Sequence, residues 1–243
     1  MTTPEPFETL PEDWETALAV IAHPDDMEFG GAAAIARWTG QGKRVVYCLL
    51  TSGEAGIDGM PPEQCREVRE AEERESARVV GVDVVEFLGQ PDGILEYGVP
   101  LRREIARVIR RYRPQIVITN SFRDVWPGGI PNQADHIACG RATLDAVRDA
   151  GNRWVFPDQD EEPWGGVRAV WTPGSPGARH AVDITDTFAA GVESLKAHQA
   201  YIDGLGWEDF DPAEFLEGMA RQAGTRLGVP MAVGFEVFKL SWD

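Results

Sequence analysis

Short apolar runs alternate with helix-length amphipathic stretches along this chain, and that alternation most narrows what it can fold into. The runs fall at residues 17–22 (ALAVIA), 44–50 (RVVYCLL), 84–88 (VVEFL) and 115–119 (QIVIT). Each is apolar on both alternating faces, the pattern of a parallel strand covered on two sides. Between them lie stretches that read as helices over 28–39, 62–80 and 99–112. This order predicts a doubly wound α/β fold, a mostly parallel Rossmann-like sheet with helices on both faces. A polar segment at 120–132 then leads into a helix predicted over 134–150. Short strands near 168–171 and 181–184, helices near 186–201 and 211–226, and a last strand at 231–240 complete the expectation. No linker or repeat divides the chain, so one domain is expected over residues 1–243, with a core in 1–150 and a part in 151–243 that completes the pocket.

Charge removes several function classes. The 243 residues carry 23 Lys+Arg against 40 Asp+Glu, a net charge of −17. Such a surface repels phosphate backbones and anionic lipid, which argues against nucleic acid and membrane partners. No apolar run approaches the ~20 residues of a membrane span. The segment MTTPEPFETLPEDWE has neither the basic nor the apolar region of a secretory signal, so a cytoplasmic location is expected. Cys48, Cys65 and Cys139 are too widely spaced for a thiolate metal site or a disulfide framework. Oligomeric state stays open, a homo-oligomer included.

The segment Ala22-His23-Pro24-Asp25-Asp26-Met27-Glu28 follows the first predicted strand. In a doubly wound sheet this puts His23, Asp25 and Asp26 in the crevice beyond the strand carboxyl ends, where ligands bind. Read alone, it fits equally well a turn that caps the next helix. A second cluster, Asn132-Gln133-Ala134-Asp135-His136, opens the helix after the fourth strand and lies at the same edge. His136 can then complete a His/Asp/His set with His23 and Asp26, leaving one tetrahedral position open, as in catalytic zinc sites. Such sets also accept other divalent ions.

Those two segments, with Thr51-Ser52-Gly53-Glu54-Ala55-Gly56 after the second strand and Pro91-Asp92-Gly93 after the third, resemble the LmbE-like (PIG-L) zinc N-deacetylases. Members of that family remove acetyl groups from N-acetylglucosamine-type sugars, including inositol-linked ones. The resemblance covers roughly the first 150 residues. It implies one Zn²⁺ per chain on His23, Asp26 and His136, with Asp25 as general base. It implies hydrolysis of a linear amide in a small-molecule N-acyl sugar or conjugate, with Arg69 and Asp92 meeting that substrate. The family usually places histidine where this chain has Gln133, and there Asp135 orients that histidine. A glutamine amide donates a hydrogen bond but supplies no proton at neutral pH. Asp135 is therefore expected to hold Gln133 or a water, and the acid role to fall to Asp25, His180 or His198. Trp126 and Trp164 are candidates for the pocket rim, although a loop Trp more often seals a core edge.

Two other readings stand beside this one. The first is a sugar- or metabolite-binding relative whose catalysis is weakened by Gln133. The second, a nucleotide-binding Rossmann enzyme, is disfavoured because the first strand–helix turn, HPDDMEFGG, lacks GxGxxG and carries two carboxylates where a pyrophosphate needs positive potential.

Overall fold

Alternate side chains of the first long strand go to opposite cores, which is why its sequence is apolar throughout. Ala17, Ala19 and Ile21 face one cluster with Tyr47, Trp38, Trp171 and Phe235. Leu18 and Val20 face the other with Val46, Ile105, Ile109, Val117 and Ala142. These contacts come from a computed structural model that describes residues 5–126, 128–207 and 209–241.

Among the described residues, eight strands form one sheet: β1 (Glu8–Thr9), β2 (Thr16–Ile21), β3 (Arg44–Leu49), β4 (Val84–Phe87), β5 (Ile116–Thr119), β6 (Ala169–Pro173), β7 (His180–Asp183) and β8 (Ala232–Lys239). Their spatial order is β1-β7-β8-β6-β5-β2-β3-β4. The run from β6 through β5, β2 and β3 to β4 is parallel, and β1 is parallel to β7. Only β8 runs against both its neighbours, pairing Trp171 with Val237 and Val182 with Val233. The fold is thus a single α/β domain with a mixed, mostly parallel sheet, as expected from the alternation.

The helices of the described residues are, in chain order, α1 (Asp26–Gly30), α2 (Ala32–Gly40), α3 (Pro62–Val79), α4 (Val99–Tyr112), α5 (Ala134–Gly151), α6 (Phe188–Lys196), α7 (Gln199–Gly204) and α8 (Pro212–Leu227). The apolar faces of α4 and α5 cover one side of the sheet, and Ile35 and Trp38 of α2 with Ala77 of α3 lie on the other.

Three elements differ from expectation. The helix predicted over 28–39 is two helices, broken at Gly31, whose φ of −142° leaves the helical range. The helix predicted near 186–201 breaks at Ala197–His198 because His198 turns inward and is fully buried. Strand β1 went unpredicted, being two exposed residues long with no periodicity to read. Because β2 to β5 are parallel, the loops after them all emerge at one edge, and this edge carries the site.

Candidate active site

Residues 113 positions apart meet at that edge. His136, in the first turn of α5, places Nε2 2.9 Å from Oδ1 of Asp26, the first residue of α1. His23 Nδ1 lies 3.7 Å from Asp26 Oδ2, which also accepts the His23 backbone N–H at 2.8 Å. One ligand atom from each of His23, Asp26 and His136 falls within 4.8 Å of the others. This nitrogen/oxygen set suits a divalent ion of borderline softness. The remaining ring nitrogens are tied off as metal-binding histidines require. His136 Nδ1 is 3.1 Å from Asn132 Oδ1, and His23 Nε2 is 3.1 Å from Asp92 Oδ1 and 3.2 Å from Asp135 Oδ2. His23, Asp92 and Asp135 also form a group of three potential ligands. That group has one imidazole where the His23, Asp26 and His136 set has two.

The charges favour a cation here. Burial opposes a charged His23, but Asp135, Asp26 and Asp92 outweigh it and push the imidazole up to about 12. Asp26, despite burial, is held well below the usual carboxylate range by His136 and His23. A divalent ion would take the place of that proton, so its affinity rises with pH.

Asp25 occupies the turn before α1 with φ +96°, a left-handed conformation that Asp and Asn tolerate better than most residues. Its backbone N–H donates to Glu73 Oε2 at 3.2 Å. Its Oδ2 accepts from Arg69 Nη2 at 3.0 Å. Burial raises the Asp25 carboxyl to about 6, with Arg69 acting against that rise. Arg69 is only 2% exposed and also donates to the carbonyls of Pro24 and Gly53. A Cβ at Gly53, whose φ is +66°, would lie 2.5 Å from Arg69 Nη1, so the TSGEAG turn needs glycine there for Arg69 to pass.

The chain falls in known company. The family model of PIG-L, described as GlcNAc-PI de-N-acetylase, matches residues 18–147. A diacetylchitobiose deacetylase of Thermococcus kodakarensis is 30% identical over 239 residues, 95% of this chain and 84% of the relative. The chain belongs to the PIG-L family. The N,N'-diacetylchitobiose deacetylase structure from Pyrococcus horikoshii superimposes with a TM-score of 0.85 at 24% identity, covering 94% of this chain and 85% of that one. A 4-carboxy-2-hydroxymuconate hydratase from Pseudomonas putida shares the fold too, with a TM-score of 0.74 at 21% identity over 94% of this chain and 98% of that one.

Within this PIG-L chain several expected residues stand differently. Arg69 and Asp92, expected to meet the substrate, both have partners within the protein. Arg69 is spent on Asp25 and on two backbone carbonyls. Asp92 Oδ2 accepts the Ala55 N–H at 2.8 Å while its other oxygen faces His23. Asp135 does not hold Gln133. It accepts from Gly93 N at 2.8 Å and Leu95 N at 3.0 Å and faces His23, which locks the PDG loop against α5. Gln133 is the exposed N-cap residue of α5. Trp126 lies edge-on to His136 with ring centroids 6.1 Å apart. Trp164 is far from that rim: its backbone N–H bonds Ala150 near the opposite end of α5, and its indole N–H donates to Pro114 O at 2.7 Å, sealing a core edge. His180 sits on β7 beside Glu8 of β1, away from the site.

Behind Asp25, His198 Nε2 lies 3.6 Å from both Glu28 Oε2 and Glu73 Oε2, all three residues being fully buried. Glu73 was hidden in the charged run REAEERES, which reads as a solvated helix face. The overlooked signal is spacing: Cys65, Arg69, Glu73 and Ser76 recur at three and four residues, one face of α3, and all are buried. Burial, with the Glu28 charge beside it, holds the Glu73 carboxyl well above the usual range. The unfolded chain ionises Glu73 near its ordinary pKa of ~4.3, whereas the folded chain keeps the proton. Stability from this residue is therefore present at acid pH and is lost as pH rises. Glu73→Gln should remove that dependence and gain on the wild type between pH 5 and pH 8 in urea titrations. A stability gap unchanged between the two pH values would rule it out.

Proposed function

We propose that this chain is a zinc-dependent N-deacetylase acting on an N-acetylglucosamine-type sugar or a small conjugate of one. It is an amide-hydrolysing enzyme, as is its relative the diacetylchitobiose deacetylase. The observation that carries the finer reading is the meeting of His23, Asp26 and His136 with Asp25 against them, at one edge of the sheet. When bound, the ion supplies Lewis acidity, lowering the pKa of water from 15.7 towards ~7 and polarising the amide carbonyl.

The protein's own groups do the rest. Asp25 takes a proton from the attacking water as the C–O bond forms, then returns it to the departing nitrogen as the C–N bond breaks. Arg69 holds Asp25 in place from below, and Asp92 and Asp135 fix the ring of His23. In this reading all three are positioning residues. The hydratase on the same fold means architecture alone does not select the reaction. The assay therefore measures free amine and acetate from a panel of N-acetyl amino sugars, alongside bound metal. About one equivalent of zinc and stoichiometric release of both products support the reading. Product formation by fully metal-free protein would refute it.

Gln133→His restores the histidine usual in the family, yet it should leave kcat within about threefold of wild type. A placed general acid is worth ~10²–10⁴, but Asp135, which would have to orient that histidine, is already committed to His23, Gly93 and Leu95. A tenfold or greater gain would show instead that Gln133 has weakened an otherwise ordinary site.

A further inference from the structure

Asp25 has two anchors on one helix. Arg69 of α3 donates to Asp25 Oδ2 at 3.0 Å, and one turn further along Glu73 Oε2 accepts the Asp25 backbone N–H at 3.2 Å. The Asp25 carbonyl accepts from the N–H groups of Glu28 and Phe29, which joins the turn to the start of α1. Arg69 is itself held, its Cζ lying 4.0 Å from the ring centroid of Tyr201. Asp25 needs such holding. At φ +96° it lies outside the backbone regions a non-glycine residue prefers, and such conformations persist only where the surroundings enforce them.

Glu73 is an unlikely residue to place there for packing. It is fully buried, and among the described residues the bond to Asp25 is the one hydrogen bond its side chain makes. Its Oε1 has no partner among those residues, and His198 Nε2 stands 3.6 Å from Oε2. A buried acid with so few bonds costs stability, and an apolar side chain of similar size would fill the same space without that cost. Its surroundings are fixed: His198 and Glu28 are buried beside it, and Glu28 Oε1 accepts from Ser76 Oγ at 2.6 Å. We propose that Glu73 is a positioning residue for the reaction, holding Asp25 in its left-handed turn through the backbone N–H and so keeping the base carboxylate in reach of the water it deprotonates. This rests on the deacetylase reading above.

Three variants test this role. Glu73→Gln keeps a neutral acceptor in the same place, so kcat should stay within about threefold of wild type. Glu73→Met has a similar volume but no acceptor, and Glu73→Asp draws the acceptor back by one methylene. In both, kcat should fall, by ~10²-fold for methionine, the scale of a 1 Å misplacement at a reacting centre. KM should stay within about threefold and zinc content should match wild type, because His23, Asp26 and His136 are held by other contacts. Should the methionine variant not fold, Glu73→Asp carries the test. Wild-type kcat in either folded variant overturns the proposal. So does a ~10²-fold loss in Glu73→Gln, because an acceptor at that place is then not what Asp25 requires.

Amide exchange at Asp25, followed by NMR on the same proteins, needs no substrate. It should be slow in the wild type and in Glu73→Gln, and faster in Glu73→Met. Fast exchange in the wild type overturns the anchor whatever the activity. Slow exchange in a wild type that releases no amine from any N-acetyl sugar overturns the deacetylase reading and leaves the anchor standing.

Discussion

His136→Ala is expected to lose both bound metal and turnover, the metal falling from about one equivalent to near none. Removing the imidazole strips one of three ligands and leaves Asp26 without the partner 2.9 Å away that holds it ionised. The pKa of the attacking water then returns from ~7 towards 15.7. A fall in kcat/KM on the order of 10⁴-fold or more follows from that scale. His136 lies at the edge of the sheet rather than in either apolar cluster, so folding should survive. Elemental analysis, circular dichroism and the amine-release assay on the same preparation check all three statements. Full turnover by a folded, metal-free variant would remove the basis of the mechanism.

Asp25→Asn should separate base from metal. The change is nearly isosteric, and Asn accepts the left-handed backbone at φ +96° as readily as Asp does. The backbone N–H bond to Glu73 is untouched. Zinc content should therefore remain, while kcat falls ~10²–10⁴-fold through loss of the general base. Asp25→Ala is less informative because it adds backbone strain to the lost carboxylate. The pH profile gives a second readout. Burial raises the Asp25 carboxyl to about 6 in the metal-free site, and a nearby cation lowers it from there. Below its pKa the residue is protonated and cannot accept a proton. Wild-type kcat/KM should thus fall on the acid side, at or below about pH 6, and the Asn variant should lack that limb. A variant as fast as the wild type would exclude Asp25 as the base.

Much of this architecture was legible before any coordinates. Strands buried on both faces must be apolar at every position, so 17–22, 44–50 and 115–119 announced a parallel sheet. Parallel strands send their following loops to one edge, so HPDD and the Asn132–His136 segment were expected at the same edge, and the pairing of β2 with β5 made them neighbours. Candidate ligands could be named because imidazole and carboxylate at such an edge suit a divalent cation. Strand β1 and the breaks at Gly31 and His198 were not readable, since two exposed residues carry no period and a local turn inside a helical pattern depends on what packs against it.

Sequence by itself determined the fold class and which residues could hold a cation, because hydrophobic periodicity and donor chemistry are properties of the chain. Tertiary structure alone decided what each polar side chain touches. It set Arg69 against Asp25 and Asp92 against His23, gave Asp135 to the PDG loop instead of Gln133, and set Tyr201 over Arg69 from 132 positions away. The physical reason is that hydrogen bonds and ion pairs act over about 3 Å, a distance that only the packed chain defines.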